Sequence, residues 1–191
     1  MIAVLVLILV VAVAGLTMIV IQTSTLGIPP MPSTRTMRAA IRDAVEGAMR
    51  EVIGSDGPAS APRIVELGCG WGGLARMLAL TFGESRVYAV ERSVAPYLWC
   101  TTVQTLFPLP NLVIERTDLL TIEIESPSVV VAYLSPAHMS ALGERLPRFG
   151  DIVLVSCAFA LPGRTPSRVI ALRDLYRTPV YVYTFGWGAR S

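Results

Sequence analysis

"IVELGCGWGGLARML", Ile64 to Leu78, is the stretch whose reading decides the fold. A short β-rich run leads into four glycines, Gly68, Gly70, Gly72 and Gly73, and then into a helix-like run that starts at Leu74. Strand, glycine turn and helix together let a ligand touch bare backbone, because glycine adopts conformations closed to other residues. The first turn of the helix adds unpaired N–H groups and a partial positive charge. Glu66, two residues ahead of Gly68, sets a carboxylate at the lip of that turn.

Around this stretch, β-rich and helical patterns alternate. The spacing predicts strands over 63–67, 86–90, 111–115, 128–134 and 151–158, with helices over 72–82, 94–106 and 137–146. Such alternation implies a Rossmann-like α/β fold, a mostly parallel sheet with helices on its faces. The end of the chain differs. "RVIALRDLY" and "PVYVYTF" are strand-like runs separated only by Arg177 and Thr178, too short a link for a helical crossover, so a C-terminal antiparallel hairpin is expected.

Upstream of the glycine turn, Met37, Ala40, Ile41, Ala44, Val45, Ala48, Met49, Val52 and Ile53 recur at helical spacing between Arg35 and Ile53. This predicts an amphipathic helix with one buried face, capped by Ser33 or Thr34 and ended by the loop "GSDGPASAPR". Before it, "QTSTLGIPPMPST", residues 22–34, reads as an extended linker.

The chain has 191 residues, 53% of them hydrophobic, and the first twenty-one carry no charged side chain. "IAVLVLILVVAVAGLTMIVI", Ile2 to Ile21, has the length of a bilayer span and reads as one N-terminal transmembrane helix. A cleaved secretory signal is the competing reading, since Ala12-Val13-Ala14 resembles a cleavage site, but no Lys or Arg precedes the apolar run. Arg35, Arg38 and Arg42 follow the span, so the positive-inside bias puts the C-terminal domain of a single-pass protein on the cytoplasmic side. The expected organisation is therefore anchor 1–21, linker 22–34 and domain 35–191.

The three cysteines, Cys69, Cys100 and Cys157, are odd in number and lack metal-ligand spacing, which suits a reducing compartment. No metal is expected. All sixteen basic residues are Arg, and the formal net charge is only +2. With no dense basic stripe, nucleic acid is not the expected partner.

The chemistry at the turn discriminates between ligands. A dinucleotide site wants G-x-G-x-x-G, whereas this spacing is G-x-G-x-G-G, and Glu66 would repel a pyrophosphate. The amino-acid end of S-adenosylmethionine (AdoMet) suits it better, with an ammonium for Glu66 and a carboxylate for the helix N-terminus. "ELGCGWG" resembles the first motif of the class I AdoMet-dependent methyltransferases, an acid followed by x-G-x-G-x-G.

That resemblance implies a set of cofactor-binding positions: Glu66, Gly68, Cys69, Gly70, Trp71 and Gly72 in the turn, Glu91 and Arg92 after the second strand, and Asp118 and Leu119 after the third. Glu91, ending "RVYAVE", stands where the family binds the ribose hydroxyls, and a dinucleotide enzyme would keep an acid there too. Asp118 stands where a polar side chain meets the adenine amino group, and also where a helix-capping Asp would. At "YLSP", Tyr133, Ser135 and Pro136 match the loop that places an acceptor nitrogen in amine methyltransferases. His138, the only histidine, follows as either a proton acceptor or a helix-capping residue. Trp71 is expected at the ligand, whereas Tyr97 and Trp99 in "PYLW" are expected to pack; Cys69 reads as a small-residue position.

"PMPSTRTMRAAI", "AVERSVAPYLW", "TDLL", "YLSP" and "VLVSCAFALPG", together with the apolar N-terminus, are similar to the membrane-anchored mitochondrial protein lysine methyltransferases and their bacterial relatives. Those enzymes act on the adenine nucleotide translocase or the ATP synthase c-subunit. The resemblance implies methylation of a protein lysine, or of another membrane-associated acceptor such as a lipid or quinone. Relatives often carry Asp or Thr where Trp71 stands. An NAD(P)-dependent oxidoreductase and a non-catalytic AdoMet-binding assembly factor are the other readings. Oligomeric state is not legible.

Overall fold

The computed structural model describes residues 2–10, 13, 15, 17, 34–53, 61–172, 174 and 177–186. The chain divides into two compact units, Met1–Pro32 and Ser33–Ser191. In the first, residues 2–10, 13, 15 and 17 are helical. Among the described residues no helix is long and apolar enough to cross a membrane. The rest of the expected transmembrane span, and the linker up to Ser33, lie outside the described residues.

Among the described residues of the second unit, seven strands form one sheet in the order β3-β2-β1-β4-β5-β7-β6. They are β1 (Arg63–Leu67), β2 (Val87–Val90), β3 (Leu112–Glu115), β4 (Ser128–Ala132), β5 (Ile152–Cys157), β6 (Arg168–Ala171) and β7 (Pro179–Phe185). The first five pair in parallel, and β7 runs antiparallel to both β5 and β6. This is the mostly parallel Rossmann-like sheet with a C-terminal antiparallel hairpin that the alternation predicts. From β1 the chain moves outward to β2 and β3, then returns to β4 on the other side of β1. Ligands of open α/β sheets bind at such a reversal, at the carboxyl ends of the strands.

Helix α1 (Arg35–Ile53) precedes β1, while α2 (Gly73–Thr81), α3 (Val94–Leu106) and α4 (Pro136–Arg145) follow β1, β2 and β4, and a 3-10 turn at Leu146–Phe149 follows α4. Alternation along the strands sorts the core into two layers. Ile64, Val87, Ala89, Val129, Val131, Val153 and Val155 face one side, with α1, α2 and Cys100 of α3. Val65, Leu67, Val90, Val130, Ala132 and Leu154 face the other, against Met139, Leu142 and Leu146.

Helix α1 starts where its cap is made: the Met37 N–H donates to Thr34 Oγ1 at 3.2 Å, so Thr34 is the N-cap. Its stripe of Met37, Ile41, Ala44, Val45, Ala48, Met49 and Val52 is buried and lies on β4, β5, β7 and α2. Each large side chain buried there contributes about 1.5–3 kcal/mol.

Several expected boundaries shift. The strand predicted over 128–134 ends at Ala132, so Tyr133 and Leu134 begin a loop, and the helix after it starts one residue early, at Pro136. Proline suits that first helical position because its missing N–H has no partner there in any case. The run "RVIALRDLY" is only a four-residue strand, because β6 ends at Ala171. The connection to β7 is therefore longer than the expected Arg177-Thr178. The Asp174 carboxylate accepts the Thr178 N–H at 2.8 Å and its hydroxyl at 2.6 Å. A side chain that binds backbone in this way competes with the strand ladder. Beyond β7, a Cβ on Gly186 would stand 2.5 Å from Gly150 backbone, so the end of β7 closes against the entry to β5.

Candidate active site

The turn from β1 to α2 folds over the end of β2. Both the Gly68 and the Cys69 N–H groups donate to the Val90 carbonyl at 2.9 Å. Gly68, Gly70 and Gly72 all take left-handed backbone conformations. At Gly72, the residue before α2, a Cβ would come within 2.7 Å of Cys100 Sγ, so glycine lets α3 approach the turn. At Gly70, a Cβ would meet nothing within 4 Å. The backbone there borders open space, as a ligand cradle must.

Glu66 lies under this turn. It is 5% exposed, and its Oε2 has no hydrogen-bond partner. Burial pushes the carboxyl well above its ordinary range; Cys100 and Glu91 push the same way, while the Arg38 guanidinium opposes them. A buried carboxylate with one orphaned oxygen is costly unless a cation or donor joins it.

Glu91, just past β2, is also buried. Its Oε2 accepts the Gly70 N–H at 2.9 Å, and its Oε1 accepts the Ser93 N–H at 2.7 Å. One carboxylate thus fixes both the glycine turn and the entry to α3. Arg92 pairs with Asp118 at 3.3 Å, and Asp118 Oδ1 accepts the Leu120 N–H at 2.9 Å. Asp118 therefore caps its own turn as well as meeting Arg92. Leu119 is half-buried against the second core layer, and its carbonyl accepts from Arg145 at 3.3 Å.

At the end of β4, Leu134 lies beside Gly68. The buried Ser135 hydroxyl does not cap α4. It meets His138 Nδ1 at 2.8 Å instead. Tyr133 is half-buried, and burial raises its phenol above the ordinary range. Pro136 opens α4. Among the described residues, no hydrogen bond or ion pair joins Ser135 or His138 to Glu66, Glu91 or Asp118.

Trp71 is 43% exposed and stands edge-on to Trp99, with ring centroids 6.4 Å apart. Trp99 is 54% exposed, so it does not pack inward as expected, while Tyr97 is half-buried. Cys69 and Cys100 both lie against the Gly70 carbonyl, at 3.9 and 3.2 Å. Bonding to Cys100, together with burial, pushes the Cys69 thiol above its ordinary range, which disfavours the thiolate there.

Arg38, in the sequence one of the charges after the apolar run and between the apolar positions of the amphipathic helix, also reaches the turn. A Cβ on Gly73 would fall 2.6 Å from its Nη2, so α1 reaches across to the start of α2. The available signal was its place in the helical line of the buried Ile41 and Val45, where a charge needs a reason.

These residues fit AdoMet on two observations: the orphaned Glu66 oxygen suits its ammonium, and the open backbone at Gly70 leaves it room. By sequence, no family model and no curated protein matches the chain. By structure, similarity is extensive. An RNA methyltransferase from Salinibacter ruber in complex with S-adenosylhomocysteine matches with a TM-score of 0.62 and 19% identity, over 82% of this chain and 95% of that one. A mutant of MtNAS in complex with S-adenosylmethionine matches with a TM-score of 0.58 and 16% identity, over 80% of this chain and 62% of that one. A precorrin-6y C5,15-methyltransferase from Geobacter metallireducens matches with a TM-score of 0.51 and 14% identity, over 76% and 86%. The fold is that of the class I AdoMet-dependent methyltransferases.

Proposed function

We propose that this chain is a membrane-anchored, AdoMet-dependent N-methyltransferase whose acceptor is an amine, that of a protein lysine, at the cytoplasmic face of the bilayer. The observation that carries the cofactor is Glu66, a buried carboxylate with an unpartnered oxygen beneath an open glycine turn. Bound AdoMet supplies a methyl group made electrophilic by its sulfonium. The chain supplies the positions: Glu66 for the ammonium, the α2 N-terminus for the carboxylate, and Glu91 for the ribose hydroxyls.

Methyl transfer to an amine needs a neutral nucleophile, alignment and little water. Ser135 and His138 serve the first need. In the tautomer whose Nδ1–H donates to Ser135 Oγ, the Nε2 lone pair is free to accept the acceptor's proton. Tyr133 and Pro136 shape the loop where the amine would sit. The lysine acceptor and the anchor are supported by the sequence resemblance and by the charge-free run 2–21. The names of the structural neighbours range from RNA to precorrin, so the fold alone selects no acceptor.

Isothermal titration with S-adenosylhomocysteine and, separately, NAD tests the reading. Binding of S-adenosylhomocysteine alone is expected, and its loss when Glu66 and Gly68 are replaced together. Binding of NAD alone, or of neither, overturns the cofactor. Methyl-labelled AdoMet with membrane extracts then tests transfer: label on a protein lysine is expected, label on lipid shifts the acceptor, and no label on any acceptor leaves a binding protein.

A further inference from the structure

Helix α3, "VAPYLWCTTVQTL", contains no charged residue. Its inner side holds the buried Pro96 and Cys100. Its outer side presents Val94, Leu98, Trp99 and Leu106, exposed at 51, 55, 54 and 66%. A helix facing water carries charged or polar side chains on that side. Phe107 extends the apolar surface at one end, and Trp71 joins it from the glycine turn through its contact with Trp99.

The threonines sharpen the point. Thr102 donates its hydroxyl to the Leu98 carbonyl at 2.8 Å, and Thr105 donates to Thr101 at 2.9 Å. Thr101 bonds to the Tyr97 carbonyl at 3.1 Å and to that of Leu98 at 3.0 Å. All three hydroxyls donate to carbonyls of the helix's own backbone, so they hold no spare donor for an outside partner. Such a face asks for an apolar medium rather than for a protein's matching donors and acceptors. Two tryptophans at its rim and the exposed Arg92 beside its start suit the headgroup boundary.

We propose that the outer face of α3, with Trp71, seats the catalytic domain on a lipid surface and holds the glycine turn at the membrane boundary. The proposal rests on the membrane-anchored reading above. From that anchor, the thirteen residues 22–34 extend at most about 45 Å. Confinement that close raises the effective concentration of the face at the bilayer, so a modest apolar patch suffices. The acceptor amine would then be met at the interface rather than drawn into bulk water.

The test uses the full chain with phosphatidylcholine–phosphatidylglycerol vesicles whose acyl chains carry bromine near the glycerol end. Trp187→Phe removes the tryptophan outside the described residues and leaves Trp71 and Trp99 as reporters. The seat predicts loss of their emission to the bromines. It also predicts recovery of that emission in Leu98→Glu with Leu106→Glu, while the doubly substituted chain still floats with vesicles and keeps its affinity for S-adenosylhomocysteine. Flotation without quenching overturns the seat and leaves the anchor standing. Quenching that survives the double substitution overturns it too, as does an apolar face found buried between two copies, read as a dimer by sedimentation that the substitutions dissociate. A chain that stays in solution removes anchor and seat together. Quenching with no S-adenosylhomocysteine binding would keep the seat and remove the cofactor reading.

Discussion

Glu66 concentrates the chemistry of this protein in one side chain, and its titration gives a prediction of definite sign. Burial raises its folded-state pKa well above the ordinary 4.5. Below about that value the group is neutral in both folded and unfolded chains and costs nothing; as pH rises through the folded pKa, stability is lost to burying the charge. Glu66→Gln should therefore be more stable to heat than the wild type at pH 8 without ligand. The gap should narrow as pH falls toward 4.5, and thermal melts across that range would show it; a gap that widens on acidification would refute the assignment. The same residue should make the affinity of the wild type for S-adenosylhomocysteine rise with pH, because an ammonium partner expels the carboxyl proton, and the Gln variant should lose this dependence. The importance of Glu66 was legible in the sequence because acid and glycines sit within seven residues. Arg38 was not, since its approach to Gly73 depends on how α1 lies across the sheet.

Elements are tied together by side chains whose role no local pattern announces. Asn111, ahead of β3, donates through one amide nitrogen to the carbonyls of Ala79, Phe82 and Ser85, at 3.0, 3.2 and 3.1 Å. It thereby closes the end of α2 and the turn into β2. Asn111→Ala would leave those carbonyls short of a donor and should cost about 1–3 kcal/mol, read as a lower denaturation midpoint with an unchanged slope. The strand and helix order was readable because β-branched runs and helical stripes alternate cleanly. The length of β6 was not, because Asp174 captures Thr178 by a side chain that hydropathy does not see. The orientation of α3 was hidden for a different reason: both of its sides are apolar, so periodicity could not tell the exposed side from the buried one.

At the scale of the whole molecule, the core of the second unit draws its buried side chains from Met37 to Phe185. A chain beginning at Ser33 should accordingly melt at the same temperature as the full chain in calorimetry. A chain beginning at Ala61 strips α1 from β4, β5 and β7 and should fail to fold cooperatively. Among the described residues the sheet ends in β3 on one side and β6 on the other, each only four residues long. Short margins offer few free backbone groups to another chain. Molecules of this protein crowded together should consequently resist joining sheet to sheet, and a partly unfolded form, rather than the native one, would be the source of any amyloid-like aggregation.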